Sequence, residues 1–141
     1  IYATNAALTP GVEELMKRLV ARGIPLSIAS SSDRHSIQTA LKRLHADSYF
    51  TQISSNDDVP KGRTKPNPDI YLLAAKRAGR RPSECIAIED SIPGLTAAKA
   101  AGLYCIAYRT DYNRLQDMSA ADMHIDHFDE LTDAKLNALL A

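Results

Sequence analysis

A Rossmann-like three-layer α/β/α fold with a mostly parallel sheet is predicted for this 141-residue chain by three observations. Short apolar runs of strand length alternate with segments whose apolar residues recur at helical spacing. The connections between them are short, which favours parallel strands with helices covering both faces of the sheet. No internal repeat, low-complexity tract or linker interrupts the alternation, so residues 1–141 read as one domain.

The elements follow in order. Thr9 to Gly23 carries helix punctuation, with Thr9 as N-cap, Pro10 at the first helical position, Glu13 and Glu14 near the positive dipole end, and Gly23 as terminator. Its apolar stripe is Val12, Leu15, Met16, Leu19 and Val20. The run Ile24 to Ala29 that follows has the length and branching of a buried strand. Ile37, Ala40, Leu41 and Leu44 mark a second helix, and Phe50 to Ser54 a short strand. Ile70, Leu73 and Ala74 mark a third helix, opened by Asn67-Pro68 and closed by Gly79. Then come a strand at Cys85 to Ile88, a small-residue helix from Leu95 to Ala101 ended by Gly102, and strands at Tyr104 to Tyr108 and Met123 to Ile125. A last helix spans Asp133 to Leu140.

Composition narrows the function. The 17 Lys+Arg balance 17 Asp+Glu, and no Lys/Arg run of five or more appears, so nothing points to nucleic acid or an anionic membrane surface. No apolar stretch approaches the roughly 18 residues of a membrane span, and the start lacks the pattern of a secretory signal. A cytoplasmic protein is the expectation. The first residue is Ile1 rather than Met, which suggests a piece of something longer. Cys85 and Cys105 fall inside apolar strands and read as small buried hydrophobes. His124 and His127 have no further ligands at zinc spacing and read as surface histidines.

In a parallel sheet the loops leaving the carboxyl ends share one edge, where open α/β sheets bind ligands. Three such loops carry chemistry. Ser30, Ser31 and Ser32, before Asp33 and Arg34, offer hydroxyls and a following helix N-terminus, a setting that accepts phosphate. Lys65 lies in Lys61 to Asp69 beside two prolines that stiffen the backbone, so its ammonium would be held rather than dangling. Glu89 and Asp90 are adjacent carboxylates at a strand end, which suits a cation of the Mg²⁺ type or a helix N-cap.

The strings Leu8 to Leu15, Ser27 to Ser32, Lys65 to Tyr71 and Ile88 to Leu95 resemble the haloacid dehalogenase superfamily of Mg²⁺-dependent phosphohydrolases, in the branch containing beta-phosphoglucomutase and phosphoglycolate phosphatase. The resemblance runs from about Leu8 to about Tyr108 in the family's order. It implies that Ser30 donates its hydroxyl to the transferring phosphoryl group, that Lys65 neutralises the nucleophile and the phosphoryl oxygens, and that Glu89 and Asp90 hold Mg²⁺. Ser32 and Arg34 would lie near the far end of a small phosphorylated substrate such as a sugar phosphate.

One departure matters. The family's nucleophile and general acid/base form an Asp-x-Asp motif on a first strand, and no Asp-x-Asp occurs in these 141 residues. The expectation is a partial core whose first strand and helical cap lie upstream, inactive alone and prone to self-association. A catalytically silent module that binds a phosphorylated ligand or a protein partner is the alternative. A phosphorelay receiver domain would place its acids early and its lysine late, the reverse of the order here.

Overall fold

The computed structural model describes residues 3–4 and 7–141. Two short strands, β1 (Ala3–Thr4) and β2 (Ala7–Leu8), pair antiparallel ahead of the α/β alternation. There follow α1 (Val12–Ala21), β3 (Leu26–Ala29), α2 (Arg34–Arg43), β4 (Phe50–Ser54), α3 (Asp69–Arg77) and β5 (Ile86–Glu89). The chain ends with α4 (Ile92–Ala101), β6 (Tyr104–Tyr108), β7 (Met123–Ile125) and α5 (Asp133–Leu139).

Two differences from the sequence reading have local causes. Helix α1 starts at Val12, not after a Thr9 cap, because Gly11 takes the left-handed conformation at φ 84° and so closes the preceding turn. Val20 and Ala40, expected on buried stripes, face solvent. In α3 the face against the core carries Ile70, Tyr71 and Ala75, with Leu73 and Ala74 half-buried.

The strands after β2 pair in parallel, but in two sheets rather than one. Strand β3 pairs with β4, while β5, β6 and β7 form a second sheet. Alternation along each strand sends side chains to two cores. Ile28, Ile106 and Ile125 pack beneath α1, α2 and α5 with Leu15, Met16, Ile37, Leu41 and Leu136. Ala87, Cys105 and Ala107 pack on the other side beneath α3 and α4 with Ile70, Tyr71, Leu95 and Ala98. The alanines of α4 let that helix lie close to the strands.

The connection β3–α2–β4 thus places its helix on one face, and β5–α4–β6 places its helix on the other. Such crossovers are right-handed almost without exception, so the two sheets grow in opposite directions. The carboxyl ends of β3 and β5 flank the point of reversal, where open α/β folds form their binding crevice. No described helix is long and apolar enough to cross a membrane.

Candidate active site at the carboxyl edge

Lys65 joins the two sheets. Its Nζ lies 3.0 Å from the carbonyl oxygen of Ala29, at the end of β3, and 2.5 Å from Glu89 Oε1, at the end of β5. Both side chains are nearly buried, at 12% and 7% exposure. Burying two charges is expensive unless they are paired and further hydrogen-bonded. Here the Tyr71 hydroxyl donates to the same Glu89 oxygen, and the Lys65 ammonium stands 5.0 Å from the Tyr71 ring centroid. The Lys65–Pro66 peptide is cis.

Glu89 fits because Gly94 makes room. A Cβ at Gly94 would stand 2.0 Å from Glu89 Oε2 and 2.2 Å from its carboxyl carbon. The N-cap of α4 is Ser91, whose hydroxyl accepts from the Gly94 amide at 3.1 Å, so the capping role is not taken by Asp90. The Asp90 carboxylate has no hydrogen-bond or ion-pair partner among the described residues, although its backbone carbonyl is clamped by Asn113 Nδ2 at 2.7 Å. Asn113 also donates to the Tyr108 carbonyl at 2.8 Å and is 5% exposed. It ties the loop after β6 to the acid loop after β5.

On the β3 side, the Ser30 amide donates to the Ser54 carbonyl at 3.0 Å, and Ser30 Oγ accepts from the Ser32 amide at 3.1 Å. The Ser30 hydroxyl proton meets no acceptor among the described residues, and Ser31 and Ser32 are exposed. The N-terminus of α2 is already served by carboxylates. Asp33 caps it by accepting from the Ser36 amide at 2.9 Å, and Asp57 accepts from the Arg34 amide at 2.9 Å. The anion-accepting capacity of this loop therefore rests on Ser30 to Ser32 rather than on those amides.

The Arg34 guanidinium is engaged elsewhere in the loop cluster, 2.6 Å from Asp58 Oδ2 and 3.0 Å from the Ile53 carbonyl. Arg77 donates to the same Asp58 oxygen at 3.2 Å, and the Ser55 amide donates to it at 2.8 Å. The Arg77 hydrogen bond, with those of Ser55 and the charge of Arg34, holds the Asp58 carboxyl well below the usual carboxylate range.

The structure thus brings together Lys65, Glu89 and the strand end bearing Ser30, with Asp90 next in chain to Glu89. Sequence reasoning missed Tyr71, Gly94 and Asn113. A tyrosine on a core-facing helix turn does carry a signal, since a buried phenol needs a hydrogen-bond partner. Elsewhere, His124 Nε2 lies 2.9 Å from the Met118 carbonyl and His127 is exposed. No group of three or more His, Cys, Asp or Glu gathers at metal-binding distance among the described residues. Cys105 is buried and Cys85 half-buried, both without a disulfide.

Parallel strands between two helical layers, with a buried lysine and an acid pair at the point where strand order reverses, define an α/β core built around a charged crevice. The sequence matches the family model of haloacid dehalogenase-like hydrolases over residues 1–102, and the chain belongs to that family. It is 38% identical over 128 residues to Protein CbbY of Rhodobacter capsulatus, a match covering 89% of this chain and 56% of that protein. It is 42% identical over 99 residues to the bifunctional riboflavin kinase/FMN phosphatase of Arabidopsis thaliana, covering 70% and 26% respectively. Among solved structures, CbbY from Rhodobacter sphaeroides in complex with phosphate superposes with a TM-score of 0.85 at 35% identity, covering 93% of this chain and 59% of that one. A mutant of the same protein in complex with xylulose-(1,5)bisphosphate gives a TM-score of 0.82 at 35% identity, covering 89% and 56%. The chain therefore spans a little over half the length of CbbY.

Proposed function

We propose that these residues form part of the core of a Mg²⁺-dependent phosphohydrolase or phosphomutase acting on a small phosphorylated metabolite such as a sugar phosphate. The observation that carries this reading is Lys65, an ammonium held almost out of water between the ends of β3 and β5. Phosphoryl transfer asks little covalent chemistry of a protein and much positioned charge. Lys65 has three N–H donors. Two are taken by Ala29 and Glu89, and the third reaches only the Tyr71 oxygen at 3.5 Å, so it is the one a phosphoryl oxygen would take. Ser30, with its own proton uncommitted, donates to a second phosphoryl oxygen, and Ser31 and Ser32 line the approach. Arg34 contributes to substrate binding by fixing the Ser30 to Asp33 loop against Asp58.

Glu89 and Asp90 fit a hard divalent cation. They are neighbouring oxygen donors, and the Asp90 carboxylate has no hydrogen-bond or ion-pair partner among the described residues. Mg²⁺ is usually held by one or two carboxylates, with phosphate and water completing the octahedron. When bound, it would supply positive charge that offsets the charge of the phosphoryl oxygens. The nucleophile in this reading is an aspartate on a further strand seated between β3 and β5, and residues 1–141 by themselves hydrolyse nothing. The similarity to CbbY, whose structures hold phosphate and a sugar bisphosphate, supports the substrate class.

Asp90→Asn in the protein at its natural length tests the proposal. Because that carboxylate supports no other group, the variant should keep its melting temperature while Mg²⁺-dependent hydrolysis of a sugar phosphate falls by about 100-fold. Retained hydrolysis would remove Asp90 from the reaction.

A further inference from the structure

The loop after β4 holds the loop after β3 at several points. The Ser54 carbonyl accepts from the Ser30 amide at 3.0 Å, the Asn56 amide donates to the Ser32 carbonyl at 3.0 Å, and Asp57 accepts from the Arg34 amide at 2.9 Å. Ser54 and Ser55 are buried, so this support belongs to the core. Arg34 is the first residue of α2, beside exposed Ser31, Ser32 and Asp33, and its guanidinium is held through one nitrogen. Nη2 donates to Asp58 Oδ2 at 2.6 Å and to the Ile53 carbonyl at 3.0 Å. A guanidinium has five N–H donors, and the three on Nε and Nη1 meet no acceptor among the described residues, in a side chain 38% exposed. Asp58 is held in turn by Arg77 at 3.2 Å and by the Ser55 amide and hydroxyl at 2.8 and 3.1 Å. A well-anchored carboxylate thus fixes a cation that keeps unused donors at the carboxyl edge.

We propose that Asp58 is a positioning residue that holds Arg34 where its unused N–H groups meet the part of the substrate beyond the reacting phosphoryl group. This rests on the reading of the site as one that takes a small phosphorylated metabolite. Ser30 keeps its own hydrogen bond to Ser54, so the phosphoryl end of the substrate does not depend on Asp58. The experiment compares the natural-length protein with its Asp58→Asn and Arg34→Gln variants and the double variant, using a sugar phosphate as substrate and inorganic phosphate as competitive inhibitor. Inorganic phosphate reports on the phosphoryl site alone. Each single variant should raise KM by about tenfold, the scale of a hydrogen bond to a charged group. Over the same series kcat and inhibition by phosphate should change by less than about twofold. The double variant should match Arg34→Gln within about twofold, because Asp58 acts through Arg34. Asp58→Asn also loses stability, but an unfolded fraction lowers kcat in proportion and leaves KM alone, so a merely structural role does not reproduce this pattern. If Asp58→Asn does not fold, Arg34→Lys serves instead, since one ammonium cannot replace a fork that holds Asp58 and substrate together, and the same rise in KM is expected. A KM unchanged by these variants, phosphate inhibition that weakens along with KM, or additive losses in the double variant would overturn the inference and leave the phosphohydrolase reading standing. Absence of turnover by the unaltered protein with Mg²⁺ would remove that reading and the inference with it.

Discussion

At the residue scale, Lys65 and Glu89 depend on each other. Removing one partner of a buried ion pair typically costs about 3–5 kcal/mol because the other charge is stranded, so Lys65→Ala would report folding and chemistry together. Asp58 is a cleaner probe of structure. Its carboxyl is held below the ordinary range by Arg77, Ser55 and Arg34, so it contributes stability above its unfolded pKa and that contribution is lost as pH falls. Asp58→Asn should cost about 2 kcal/mol at pH 7, the scale of hydrogen bonds to a charged group. The variant should also show a flatter loss of stability on acidification below about pH 4. Equal acid sensitivity of the two proteins in urea unfolding would place the titrating group elsewhere. Ser30, Glu89 and Asp90 were legible in the sequence as unusual residues at strand ends, and Lys65 as a lysine in a proline-stiffened loop. Tyr71, Gly94 and Asn113 were not, because their roles depend on contacts 18, 5 and 23 residues away that no local pattern encodes.

At the element scale, periodicity located most of the α/β alternation. The strands at 50–54, 104–108 and 123–125 match in both ends. The starts of α1 and α4 were misread, because a left-handed glycine and a serine cap decide them rather than apolar spacing. Antiparallel β1 and β2 were not foreseen, being too short to show a period. Helix α4 carries a direct prediction. Gly→Ala inside a helix ordinarily stabilises by up to about 1 kcal/mol, but at Gly94 the new methyl would meet a carboxylate that Lys65 and Tyr71 hold in place. Gly94→Ala should therefore destabilise by about 1–3 kcal/mol, as overpacking does. A rise in melting temperature would show that Glu89 can swing aside.

At the scale of the whole molecule, the fold class, its two helical layers and the parallel pairing follow from the alternation of apolar patterns. The division into two sheets does not, since strand order depends on which face each crossover helix takes. Lys65 bridges that division by bonding the ends of β3 and β5, and the division is the position in which the proposed reading seats the strand bearing the nucleophile. The most direct measurement is release of inorganic phosphate from a panel of sugar phosphates by the natural-length protein and by residues 1–141 alone, before and after chelation of divalent cations. The account predicts turnover by the natural-length protein that vanishes on chelation and returns with Mg²⁺, and none from residues 1–141. Turnover that survives chelation, or that residues 1–141 sustain unaided, would contradict it.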